Sequence, residues 1–175
     1  MKKIEKPAEG EFAPYAIMYI GLLPDDGNVL KHLRNNLKST KELIGSLSEE
    51  QLLCRYAENK WTIKEVLSHI VDDERIYTYR ALRFARNDKT ELPGFEQDDF
   101  VQYSEANARS IKDILKEYQA VRNSTLAFFN SLEKKALTRS GVANNHVMSV
   151  RAAAYHIAGH ELHHINIIKE KYLGR

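Results

Sequence analysis

The placement of the chain breakers constrains this sequence most. All four prolines (Pro7, Pro14, Pro24 and Pro93) fall outside the stretches with helical period, and proline inside a helix removes a hydrogen bond and clashes with the preceding turn. Four long segments remain uninterrupted. The first, from about Gly27 to Leu47, puts Leu30, Leu33, Leu37, Ile44 and Leu47 on one face, with Asp25 or Asp26 available as a cap. A short helical turn should follow at Ser48-Glu49-Glu50-Gln51, which has the spacing of a capping box. The second segment starts at Thr62, whose hydroxyl can cap the free amides while Glu65 reaches back to the Thr62 backbone. Trp61 and Val66 stand at the staple positions, and the helix is expected to reach about Arg86. The third, from about Ser104 to Leu132, carries Ile111, Leu115, Tyr118, Val121, Phe128 and Leu132 at helical spacing. The fourth starts at Ser149 and ends near Gly174, with Val150, Ala153, Ala154, Ile157, Ile165 and Ile168 on its apolar side.

No strand-like alternation stands out, so the predicted fold is all-α, a four-helix bundle. Residues 91–103 have no clean period and contain Pro93-Gly94, which predicts a long crossover loop between the second and third helices, and Gly141–Met148 reads as a loop. At 175 residues the chain fits one domain with a core of its own. The expected division is an N-terminal arm over residues 1–24 and the bundle over residues 25–175. The apolar stretch from Phe12 to Leu23 is not read as a signal peptide, because Glu5, Glu9 and Glu11 occupy the flank that should be positive and Pro14 interrupts it. It is also shorter than the roughly 20 apolar residues a bilayer span takes.

With 26 basic and 24 acidic residues, a net charge of +2, and signs that alternate along most segments, the chain lacks the basic stripe of a nucleic-acid binder. Neither a nucleic acid nor a membrane is expected as partner. The single cysteine, Cys54, cannot form an internal disulfide and suits a reducing cytoplasm, where it should be a partly buried small apolar side chain. Arg75, Arg80 and Arg83 could line an entrance for an anionic substrate, but exposed surface charge is the preferred reading.

Five of the seven histidines lie between His146 and His164, and four of them (His156, His160, His163 and His164) fall on the last predicted helix. Residues four apart on a helix sit about 5–6 Å apart at Cβ, so His160 and His164 can aim their imidazoles at one point. Two imidazoles make a weak site, whereas a third from another helix would give three protein ligands and an open position for substrate. Spacing leaves two candidates for that third ligand: His69, beside Val66 and Ile70 at the margin of the second helix's apolar face, and His32, flanked by Lys31 and Arg34. His146, in the loop, could reach the site only if the loop folds over it. Asp73, one turn after His69, and His156, one turn before His160, are placed to orient ligands or relay protons. The stretch His160-Glu161-Leu162-His163-His164 also fits the H-E-x-x-H pattern of zinc peptidases, with Glu161 as base, but it lacks the mixed α/β context such a site needs.

Two stretches of the chain resemble the DinB/YfiT-like family: Trp61-Thr62-Ile63-Lys64-Glu65-Val66-Leu67-Ser68-His69-Ile70 with Asp73-Glu74-Arg75 following, and Ala158-Gly159-His160-Glu161-Leu162-His163-His164. Residues 79–86 and 92–95 are similar to the same family's second helix and crossover. The resemblance implies a four-helix bundle with a divalent metal, nickel, zinc or iron, held by His69, His160 and His164. It selects His69 over His32 and makes Glu161 a bystander. It further implies a homodimer and a small-molecule substrate, with transfer of a low-molecular-weight thiol such as bacillithiol, or hydrolysis, as the reaction. The competing expectation is a dimeric stress-response bundle in which the metal is only structural.

Overall fold

The computed structural model describes residues 1–174. Four helices form the bundle: α2 (Val29–Gly45), α4 (Ile63–Ala85), α6 (Ile111–Ser131) and α8 (Val150–Ile167). Shorter helices join them, namely α1 (Ile17–Ile20), α3 (Glu49–Leu53), α5 (Gln97–Gln102) and α7 (Lys134–Leu137). Both α4 and α2 pack against α6 and against α8, so α2 and α4 face each other across a diagonal, as do α6 and α8. Among the described residues no helix is long and apolar enough to cross a membrane.

The capping signals explain most boundaries. Thr62 Oγ1 accepts from the Glu65 amide at 3.1 Å and the Thr62 amide donates to Glu65 Oε2 at 2.7 Å, which closes the capping box that starts α4. Ser48 and Gln51 form the same box on α3, and Ser149 caps α8 through the Ala152 amide. Helix α2 differs from expectation: Asp26 accepts from the Asn28 amide instead of capping the helix, and Asn28 holds the N-cap position without a side-chain bond. Helix α6 begins seven residues later than the expected Ser104, because Glu105 turns left-handed at φ 53° and Ser110 supplies the cap through the Asp113 amide. The expected long connection between α4 and α6 is present and contains α5 and a 3-10 turn at Ala106–Ala108.

The Gly141–Met148 segment is not an irregular loop. Strands β1 (Ser140–Ala143) and β2 (His146–Ser149) form an antiparallel hairpin, with Ser140 opposite Ser149 and Ala143 opposite His146. Asn144 and Asn145 both take positive φ, 50° and 61°, the backbone that two-residue hairpin turns require and asparagine tolerates. Four residues per strand are too few for alternation to register in sequence. Cys54 also departs from expectation: α3 ends at Leu53, so the chain leaves the core and the thiol is exposed, while Leu52 is buried in its place.

The core is split along the bundle axis. One apolar cluster gathers Leu30, Leu33, Phe84, Phe129 and Tyr155, and the other Ile44, Val66, Ile70, Ile114 and Ile165. Between them lies a buried polar layer in which Arg122 from α6 bonds Glu74 of α4 at 2.9 and 2.8 Å and Glu161 of α8 at 2.8 Å. Ile4, Ile20 and Leu23 from residues 1–24 are buried in the first cluster.

Candidate metal centre

Helices α4 and α8, which pack side by side, bring His69, His160 and His164 together. His69 Nε2 lies 3.0 Å from His160 Nε2, and His164 Nε2 lies 3.1 Å from the same atom. His69 and His160 are buried and His164 is partly so. Burial pushes all three imidazoles below their ordinary value, His164 to about 3, so each is neutral with a lone pair at neutral pH. Among the described residues each Nε2 finds only another imidazole nitrogen as partner.

That donor set fits a divalent cation. Zinc–nitrogen bonds of about 2.0–2.1 Å in a tetrahedral site set nitrogens about 3.3 Å apart, and the two contacts converging on His160 come within a few tenths of an ångström of that spacing. Among the described residues no carboxylate is bonded to any of the three Nε2 atoms.

On the other edge of His160, Nδ1 lies 3.4 Å from Asp73 Oδ2. Asp73 is buried and also faces His156 Nε2, at 3.4 Å from Oδ1 and 3.3 Å from Oδ2. Burial pushes the Asp73 carboxyl up, but the His160 and His156 imidazoles outweigh that effect and hold it well below the ordinary carboxylate range. An ionised Asp73 favours the proton on His160 Nδ1 and leaves Nε2 as the lone-pair donor. Asp73, His156 and His160 thus form a second buried group of donor atoms, sharing His160 through its other nitrogen. Aromatic rings fix these side chains: Tyr77 stacks on His156 at 3.6 Å, Trp61 packs on His69 at 4.9 Å, and Tyr19 meets the edges of His156 and His160 at 5.1 and 5.2 Å.

The remaining histidines lie apart from the three nitrogens. His32 pairs with Asp26 at 3.0 Å on α2. His146 is exposed on β2 beside Tyr15, and the half-buried His163 packs against Tyr19 and His164. Glu161 points the other way, into the polar layer. It accepts from Thr40 at 2.7 Å, from Tyr118 and from Arg122, so the H-E-x-x-H geometry is not formed. Arg75 is a surface charge paired with Glu117 at 2.6 Å, and Arg83 pairs with Asp88. Arg80 is not on the surface; it is buried.

Sequence reasoning missed the polar layer and the part played by Tyr19 and Tyr77. Glu74, Arg122 and Glu161 sit at core register in their helices, between apolar positions such as Ile70 and Tyr77 or Tyr118 and Leu126. That register was the available signal. Two cavities reach the histidines, one of about 250 Å³ beside His160 and one of about 350 Å³ beside His164, with Gln97 at the border of both.

The family model described as the DinB superfamily matches residues 32–168. A protein of Oceanobacillus iheyensis named "Putative metal-dependent hydrolase" is 26% identical over 142 residues, which span 80% of this chain and 81% of that one. Among solved structures, YfiT from Bacillus subtilis, described as "a probable metal-dependent hydrolase with an unusual four-helix bundle topology", matches with a TM-score of 0.72 at 18% identity, covering 95% of this chain and 91% of that chain. At that identity the likeness speaks for the fold. The family match takes in all of α4, α6 and α8 and most of α2, and the chain belongs to the DinB superfamily.

Proposed function

We propose that the chain holds one divalent cation between His69, His160 and His164 and acts with it on a small-molecule substrate, by hydrolysis or by transfer of a low-molecular-weight thiol. The observation that carries this reading is the convergence of three Nε2 atoms that, among the described residues, have only one another as partners. The name of the Oceanobacillus relative supports the hydrolytic branch, while the resemblance noted in the sequence supports the thiol branch. A cation in this position supplies Lewis-acid activation of a nucleophile near neutral pH. The chain's own residues do the rest. Asp73, 3.4 Å from His160 Nδ1, favours the proton on that nitrogen, Tyr77 and Tyr19 fix the imidazole planes, and the apolar surroundings keep the rings neutral. Imidazole donors suit nickel, zinc and iron alike, so the ion is a matter for measurement. The proposal includes a homodimer in the cytoplasm, with residues 25–175 as the working domain and residues 1–24 as its arm.

Elemental analysis of protein purified without added metal tests the site. About one equivalent is expected in the wild type, with loss in His160→Ala and retention in His32→Ala. Metal retained by His160→Ala, or none in the wild type, overturns the reading. Turnover of an ester and of a thiol with an electrophile, each with metal present and removed, separates the two reactions. A lower melting temperature on chelation with neither turnover would favour a purely structural ion.

A further inference from the structure

Arg80 is only 5% exposed, yet among the described residues no carboxylate lies within ion-pairing distance of its guanidinium. Its Nη2 donates to the Pro93 carbonyl at 2.9 Å, and the group lies 5.0 Å from the centre of the Tyr77 ring and 6.0 Å from that of Phe95. The other deeply buried guanidinium, that of Arg122, is neutralised by two carboxylates. A buried charge without a counterion is costly, so the open N–H groups of Arg80 mark a place where an anion is received.

That place adjoins the histidines. The cavity of about 250 Å³ has Asp73, Tyr77, Arg80, Glu96, His156 and His160 in its wall. Asp73, Tyr77 and Arg80 follow one another along one face of α4, and the seven residues from Asp73 to Arg80 cover about 10 Å of helix. The guanidinium fork matches a planar carboxylate. Asp73 and Glu96 border the same space, so a second negative charge on the ligand would be repelled, which favours a monoanion over a phosphate dianion.

We infer that Arg80 binds the carboxylate of a small monoanionic substrate and directs the rest of that molecule along the shared cavity toward His160. The inference rests on the proposed function for what happens to the substrate, but not for its binding. Calorimetric titration of the full chain with 3-phenylpropionate and its neutral isostere 3-phenylpropanamide, as purified and after chelator treatment, provides the test. The acid should bind at least tenfold more tightly than the amide. Arg80→Gln should lose that preference, while Arg75→Gln, altered at the surface, should keep it. Equal binding of acid and amide, no binding of the acid, or unchanged affinity in Arg80→Gln overturns the inference. Should Arg80→Gln fail to fold, the Arg80 Nε–H resonance of the wild type gives the answer: it should move with the acid and not with the amide, and a resonance that ignores the acid overturns the inference. Arg80-dependent binding in a protein that purifies without metal would sink the metal reading alone. One equivalent of metal with Arg80-independent binding would sink this one alone.

Discussion

At His160 the two ring nitrogens meet different chemistry: Nε2 faces two other imidazoles, while Nδ1 faces the ionised Asp73. Replacing Asp73 by asparagine keeps the shape and removes the charge that holds the tautomer. Metal affinity measured by competition with a chelator should fall about 10–100-fold, with the melting temperature of the metal-free chain as the control for folding. An unchanged affinity would deny Asp73 its orienting part. The lowered pKa values carry a second expectation. The folded His164 imidazole, pushed down to about 3 by burial first and then by His69 and His163, takes up a proton later than its unfolded form with a pKa near 6.5. Its contribution is therefore present above pH 6.5 and is lost as pH falls from 6.5 toward 3. Urea midpoints of the metal-free protein between pH 7 and 4.5 should fall more steeply in the wild type than in His164→Asn; parallel slopes would contradict the burial argument.

Between elements, the close contact of α1 with α8 depends on Gly159. A Cβ built there would stand 2.2 Å from the Tyr19 carbonyl oxygen, a backbone atom that cannot swing aside. Helix propensity alone would make alanine better by roughly 0.5–1 kcal/mol. Overpacking against α1 should outweigh this, at about 1–3 kcal/mol. Gly159→Ala is thus expected to lower stability in denaturant titrations and to draw the Tyr19 ring away from His160, seen as a lost Tyr19–His160 NOE. A variant more stable than the wild type would refute the close approach. The capping boxes at Ser48 and Thr62 were legible in sequence because their partners lie three residues apart. The true start of α6 was harder to read, since two serines, Ser104 and Ser110, offer the same signal and only a left-handed Glu105 separates them.

Across the whole molecule, Arg122 of α6 ties all four bundle helices together through Glu74 of α4, Glu161 of α8 and the Leu33 carbonyl of α2, the last of these at 2.6 Å, and its side chain has no exposed surface. Arg122→Met removes one partner and leaves two buried carboxylates facing each other, so a loss of about 3–5 kcal/mol is expected in urea unfolding. A loss under about 1 kcal/mol would mean that water reaches the layer. Local spacing determined the four long helices, the caps at Ser48, Thr62 and Ser149 and the pairing of His160 with His164, because these depend on contacts within a turn or two of one helix. The family resemblance in the sequence added His69. Only the tertiary structure decided that Glu161 turns inward to Arg122, that His32 stays with Asp26, and that Arg80 lies buried beside the histidine cavity. Those outcomes depend on how each helix is rotated against neighbours distant in sequence, and no spacing within a single helix encodes that rotation.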